Sequence, residues 1–499
     1  MQRCSLHLVY VIFILFTSGV RASEGAYYVK YHPELKHIYL KILESKFEEG
    51  RMSLERLRSR EPNNLAIDHL ENYADCFQIF VTEDNTLFKK YKANKALRVS
   101  RFARLPLSDP YNAYLQADVL MQWSAARLKF EEYITAFRDI SRAYKLLDQI
   151  LDEDPDFAPA LKNKGILSAI IGTVPDKYKW GIKLIGLEGS IPEGLKMMER
   201  ILTLKNHQPF FFEEEVHAAI GLTHFYFNNQ PEKAIKTFQH PKLKAINSPL
   251  LVFLVANMYR RSGQNDKALG ILQNAKFPSG TPAFPFLDFI EGDCRLRKLD
   301  KSADLYLKKF LKHYNGRNYV KESYQKLAWH GLIFKNETTY HNYMNQVIDE
   351  GYKMIDEDKS ALKEAESGVA PHPTLLRARL LFDGGYYTTC KKLLSELSAE
   401  KLSSTQKLEI QYRQARVTEK LDGPQSGIQA FLTLIKQNPG STSYFVCNAA
   451  LLCAQLYESE GQREKAAEYY RICLRLKSDD YRMGIHQKAK AGLQRVRRK

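Results

Sequence analysis

Apolar and polar positions follow a helical period along almost the whole chain, and within that period small residues recur at fixed depths. In "LVANMYRRSGQNDKALGILQNA", Ala256 and Tyr259 are followed by Ala268, Leu272 and Ala275. Near the C-terminus, "CAQLYESEGQREKAAEYYRICL" places Ala454, Tyr457, Ala466, Tyr470 and Cys473 at identical intervals. Each stretch predicts two antiparallel helices of about a dozen residues, with Gly263 and Gly461 where the first helix must stop. Such helices approach closely only when a small side chain from each meets the other's backbone and bulky residues one turn away fill the gaps.

That spacing is the tetratricopeptide pattern, and further copies follow it. Leu222 with Ala234 and Phe238 stands about thirty-four residues before Ala256, the period expected of such repeats. Gly292 with Ala303 and Leu307, Ala328 with Tyr340, Ala378 with Cys390 and Leu394, and Ala415 with Gly427, Phe431 and Leu434 continue it with varied fidelity. Upstream, Ala143, Leu147 and Ile150 precede Gly165, and Gly50, Leu54 and Leu57 are in phase near the start. The prediction is an all-α, right-handed superhelical solenoid of tetratricopeptide-like helix pairs, each repeat burying its apolar face against its neighbours. Its expected divisions are N-terminal helical repeats over 23–110, central repeats with a glycine-rich insertion over 111–205, tetratricopeptide repeats over 206–349, a surface insertion over 350–373 and C-terminal repeats over 374–499. The basic stretch from Leu87 to Tyr111 predicts an altered helix pair.

Residues 1–22 read as an address. A positive start at Arg3, the apolar run from Leu6 to Phe16 and small residues at Val20 and Ala22 fit a cleaved signal peptide. The expectation is export to the periplasm or secretion, with an uncleaved membrane anchor as the alternative. Cys4 lies before the apolar run, not at its end where a lipid-modified cysteine would stand.

The stretch "WGIKLIGLEGSIPEGLK" interrupts the repeats with four glycines and a proline. Gly186, Gly189 and Gly194 do not fit GxGxxG, and no strand precedes them, so a phosphate-binding loop is excluded. Read physically, Gly186 and Gly189 allow unusual backbone or close approach, while Ser190 and Pro192 cap and open a helix. Trp180, Ile182, Leu184, Ile185 and Leu187 require cover, so the stretch is either a packed joint or a groove or membrane-touching element. Val174-Pro175, Ile185-Gly186-Leu187-Glu188-Gly189-Ser190 and Gly194-Leu195 together resemble the "GFxGD...GL" signature of the tetratricopeptide-repeat-39 proteins and the related fungal inclusion-body clearance protein of the mitochondrial outer surface. Leu187, Ser190 and Ile191 stand where that signature has phenylalanine, aspartate and arginine. The resemblance implies a scaffold or adaptor without catalysis.

Composition adds a basic balance. Formal charge is +17, falling to roughly +15 without the leader, which favours anionic partners. Acidic residues are interspersed, only the tail "QRVRRK" is a basic block, and export argues against nucleic acid. Asn336-Glu337-Thr338 matches a glycosylation acceptor. The cysteines lack metal spacing, although Cys447, Cys453 and Cys473 lie near enough for one bridge in an oxidising compartment. No protease, hydrolase or metal signature appears; the scattered histidines include His217 and His224, and "FFEEEVH" reads as an acidic first turn. No catalytic residue, metal or cofactor is expected.

Binding residues follow from the architecture, in which the first helix of each pair lines a concave groove. The candidates are Asn257, Arg260, Arg379, Tyr412, Arg413 and Arg416, with Lys162 and Asn163 weaker. A basic, aromatic groove suits an acidic peptide or protein segment. The alternative is a carbohydrate- or lipid-binding carrier of the cell envelope using Trp180 and Phe210 to Phe212, and a peripheral membrane contact stays open.

Overall fold

A computed structural model describes residues 26–174, 183, 185–204, 210–278, 280–397, 402–478 and 482–497. The expected leader lies outside the described residues, as do Trp180, Ile182 and Leu184. The described chain is all-α and forms a helical solenoid; its extended pairing is an isolated bridge between Tyr28 and Asn64. Among the described residues, no helix is long and apolar enough to cross a membrane.

Small residues meet across the helix pairs as the spacing requires. The pairs Pro249–Arg261 with Asn265–Asn274 and Tyr444–Ser459 with Arg463–Arg475 bury Ala256, Ala268, Ala454 and Ala466 completely. Gly461 ends its helix at φ 73°, a conformation side chains disfavour. Helix starts are fixed chemically: Asn64, Asp84, Asp109, Ser190 and Ser443 accept bonds from first-turn amides, and Ser403 forms a capping box with Gln406. Asn336 accepts from the Thr339 amide at 2.8 Å, so the glycosylation match is also a helix cap.

Successive apolar clusters overlap along the chain. One runs from Leu65 to Leu187 and another from Ala158 to Ile220. The expected divisions at 110 and 205 therefore fall inside shared cores, as a solenoid demands. The basic stretch forms two short helices, Asn85–Tyr91 and Asn94–Phe102. The expectation of a surface insertion over 350–373 requires correction, because Asp356–Ser367 is a helix that buries Asp358, Ala361 and Ala365 against its neighbours. Those three positions repeat at helical spacing, and Glu364 beside them accepts from Gln325 at 2.7 Å, Trp329 at 2.8 Å and Tyr340 at 3.1 Å.

First helices of the C-terminal repeats, Pro373–Gly384, Ser404–Asp422 and Tyr444–Ser459, pack directly on one another. Their partners Tyr387–Ser395, Pro424–Gln437 and Arg463–Arg475 do not pack on each other to the same extent. The array therefore curves with the first helices inside.

The described part of the glycine stretch is a packed joint. Ala158–Gly172 and Ile191–Thr203 lie so close that a Cβ on Gly194 would stand 2.4 Å from the Gly165 carbonyl oxygen, and one on Gly189 2.6 Å from the Ser168 Cα. Ser190 caps the second helix, Pro192 sits in its first turn, and Leu187 is buried. Replacing Gly194 by Val is expected to cost about 2–3 kcal/mol, through overpacking against backbone that cannot yield. Gly270→Ala, in a helix with open space around it, is expected to be stabilising by about 0.5–1 kcal/mol. Urea denaturation of the two variants measures the contrast.

Candidate functional site: the inner face of the solenoid

Much of the inner face is occupied by the chain itself. At the N-terminal end, Phe212 is buried among Tyr31, Tyr39 and Tyr73, stacking on Tyr73 with centroids 5.4 Å apart. Glu215, three residues on, accepts from Lys162 at 2.5 Å, Tyr39 at 2.8 Å and Tyr73 at 3.1 Å. Asp118 accepts from Asn163 at 2.7 Å and lies 2.7 Å from His69 Nε2, whose Nδ1 is 2.6 Å from the Tyr31 hydroxyl. Burial opposes the charge on Asp118, but Lys162, His69 and Asn163 outweigh it and hold the carboxyl below the ordinary range. Lys162 and Asn163 are thus internal ties and do not line an open groove. Glu214, likewise, meets Lys36, so the acidic turn serves more than the helix dipole. The aromatic platform expected of Phe210 to Phe212 in a carrier is packed into this core.

Glu83 makes a second closure. Its buried carboxylate accepts from the Tyr314 hydroxyl at 2.8 Å, the Arg317 and Asn318 amides at 3.1 and 3.0 Å, and the Asn318 side chain, and it also meets Lys129. Burial disfavours its charge, yet Lys129 and these donors lower its pKa. Residues more than two hundred positions apart are thereby joined.

A third cluster claims two of the six candidates. Asp293 is surrounded by Arg260, by Arg297 at 2.9 Å and by Lys326 at 2.9 Å. Arg260 also donates to the Asn257 side chain at 2.9 Å, and both residues are about 4% exposed. Asn257 and Arg260 therefore serve the interior and are withdrawn from the groove assignment. The three cations overcome the burial penalty and hold the Asp293 carboxyl well below the usual range.

The other four candidates come together on the inner face of the C-terminal repeats. Arg379 stands over the Trp329 ring at 4.9 Å, with Asp383 3.9 Å away. Arg413 and Tyr412 are themselves buried and internally paired, Arg413 with Glu409 at 2.7 Å and the Tyr412 hydroxyl accepting from Asn448 at 2.5 Å, so they support the face more than they line it. Arg416 lies 4.2 Å over the Phe382 ring and 5.9 Å from that of Tyr412, and its buried Nε has no hydrogen-bond partner among the described residues. Tyr444 packs 6.3 Å from Tyr412. Burial, then Tyr412, raise the Tyr444 phenol, with Arg413 and Arg379 opposing. Arg379, the most open of the group, has a side chain 45% exposed.

Tyr444, Asn448, Trp329 and Phe382 were absent from the sequence-based candidates. Following the face marked by Tyr412 and Arg416 one repeat onward would reach Tyr444 and Asn448, which are four apart on the next first helix. Trp329 and Phe382 carry no comparable signal, since both are largely buried and read as core. No group of three or more His, Cys, Asp or Glu among the described residues is arranged to hold a metal, and His217 stacks on His240 at 3.9 Å.

A tetratricopeptide repeat model matches residues 449–480, covering the last helix pair. A search of curated proteins finds no match. Among solved structures, the chain is similar to the P58(IPK) tetratricopeptide-repeat domain at 16% identity, over 83% of this chain and 98% of that one, with a TM-score of 0.19. It is also similar to a human IFIT1 dimer with PPP-AAAA at 15% identity, over 90% and 96%, with a TM-score of 0.29. A third is Naa15/Naa10 bound to HypK-THB, at 12% identity over 93% and 65%, with a TM-score of 0.27. The chain is a helical-repeat protein carrying a tetratricopeptide repeat in its C-terminal unit.

Asp293→Asn would remove the carboxylate shared by Arg260, Arg297 and Lys326, of which only Lys326 has a second carboxylate partner among the described residues, Glu322 at 2.9 Å, at an expected cost of about 3–5 kcal/mol. The sign of the pH effect follows from the lowered carboxyls. Stability from Asp118, Glu83 and Asp293 is complete above the unfolded carboxyl range near about 4 and is lost as pH falls through the lower folded values. Urea midpoints should therefore drop below about pH 4, with the gap between wild type and Asp293→Asn narrowing.

Proposed function

We propose that the chain is a non-enzymatic scaffold or adaptor whose C-terminal inner face binds an acidic segment of a protein partner, and that it does so after export. The observation that carries this reading is Arg416, a guanidinium stacked on Phe382 with its buried Nε unpartnered. A guest carboxylate that meets this incompletely paired guanidinium would gain a charge-assisted bond, roughly twice as strong as a neutral one. Arg379 adds a second, more open cation, while Tyr444 and Asn448 border the same face with rigid aromatic surface and an amide. Self-filling of the earlier repeats leaves this region as the part of the inner face suited to a guest.

The glycine joint carrying Gly186, Gly189 and Gly194 supports the scaffold reading too, through its resemblance to the tetratricopeptide-repeat-39 proteins. Export rests on the leader over residues 1–22. Partners of the similar structures differ in kind, HypK with Naa15 and a PPP-AAAA ligand with IFIT1. The basic, aromatic chemistry here and the leader favour a protein.

Charge reversal tests the assignment. Arg379→Glu and Arg416→Glu are each expected to reduce partner capture by in-cell crosslinking about tenfold or more, with helicity by circular dichroism retained. Lys436→Glu, on the exposed side of the second helix Pro424–Gln437, should leave capture unchanged. Equal capture by all variants would refute the binding face.

A further inference from the structure

The C-terminal repeat buries three thiols that the binding face does not use, and two of them meet across the helix pair. Cys447 lies in the Tyr444–Ser459 helix and Cys473 in its antiparallel partner Arg463–Arg475, and both are fully buried. Their Sγ atoms are 3.9 Å apart. The repeat spacing explains why they meet. Cys447 precedes Ala454 by two helical turns, and Cys473 follows Ala466 by two turns. Once Ala454 and Ala466 nest across an antiparallel pair, the residues two turns away along the same stripes are brought opposite each other.

The remaining thiols do not share this arrangement. Cys453 lies six residues after Cys447, off that stripe, and burial followed by Glu468 pushes its thiol up to about 12. Cys76, Cys294 and Cys390 belong to other repeats. Around Cys447, the Cys473 thiol contributes most, against burial, to hold its pKa down to about 6, with Ser478 and His486 adding to the effect. His486 Nε2 is 2.9 Å from the Leu476 carbonyl oxygen, which ties the last helix to the end of the Cys473 helix.

We propose that Cys447 and Cys473 are a modification site, an intramolecular disulfide that staples the two helices of the last repeat. The oxidant is a small disulfide of the glutathione type or the equivalent disulfide of a thiol oxidoreductase. The Cys447 thiolate attacks one sulfur of that disulfide; its S–S bond breaks and one carrier thiolate leaves. The Cys473 thiol, giving up its proton, then attacks the Cys447 sulfur and expels the second carrier thiolate. Two cysteine thiols lose two electrons, the carrier disulfide gains them, and the two protons pass to the two carrier thiolates. Closing 3.9 Å to a bond of about 2.05 Å requires side-chain rotation and a small approach of the helices. Because both sulfurs are buried in the finished fold, the exchange takes place while the last repeat is assembling, before Arg482–Arg497 packs against both helices. The staple fixes the helix that carries Tyr444 and Asn448, but its formation does not depend on the binding role of that face.

The test uses the full chain expressed into an oxidising compartment and purified without reductant. It is denatured, alkylated, digested and analysed by mass spectrometry before and after reduction. The expected result is a linked species joining the Cys473 peptide to the peptide that contains Cys447 and Cys453. It should disappear on reduction, persist in Cys453→Ser and be absent from Cys473→Ser. Reduction should also lower the thermal midpoint by several degrees in wild type and leave Cys473→Ser unchanged. Recovery of Cys473 as a separately alkylated peptide from the unreduced wild type would overturn the proposal, and so would a link lost in Cys453→Ser.

Discussion

The close approach of paired helices is the constraint on which the rest of the structure depends. A helix pair in this chain nests because alanine or glycine occurs at matched depth on both members, as at Ala256 with Ala268 and Ala454 with Ala466. Direct packing between successive first helices then gives the array its curvature, and the curvature creates an inner face. Glycine takes the same principle further at the joint, where Gly165 and Gly194 bring two helices into near backbone contact. Curvature, core continuity and the placement of every candidate side chain follow from how near the helices can come.

The inner face is not uniformly available. Its earlier part is closed by Phe212 and Glu215 against Tyr39, Tyr73 and Lys162, and by Glu83 against Tyr314 and Asn318. Asp293 then gathers Arg260, Arg297 and Lys326 into a buried cluster. Beyond Trp329, cations and aromatic rings meet a more open surface, with Arg379 markedly more exposed than Arg260. A chain with a large positive charge thus uses part of that charge to hold its own superhelix together, and the remainder is what a partner can meet. The same division explains acid sensitivity, since the internal ties depend on carboxylates kept ionised by buried cations.

The helix pairs were legible in the sequence because small residues at fixed intervals report packing depth locally. The joint was legible for a related reason: Ser190, Pro192 and the glycines around them specify a cap and a close approach within a few positions. Long-range ties were not. Glu83 and Asn318 lie 235 positions apart, and each alone reads as an ordinary polar residue. Asn257 and Arg260 occupy inner-face positions as expected, but Asp293 belongs to a neighbouring repeat and its neutralising role appears only after folding. Asp356–Ser367 reads as a solvated stretch in sequence because its charged residues outnumber its apolar ones. Local periodicity therefore gives the architecture and half of the candidate face, whereas the competition between internal and external partners for the same cations requires three dimensions.

The most direct measurement is a photo-crosslinking scan of the full chain in its native compartment. The crosslinking residue is placed in turn at Arg379, Arg416 and Asn448 on the inner face, and at Lys391 and Lys436 on the second helices. One common partner is expected from the three inner positions, with little or none from the two others. Capture confined to the second-helix positions, or equal at all five, would contradict it.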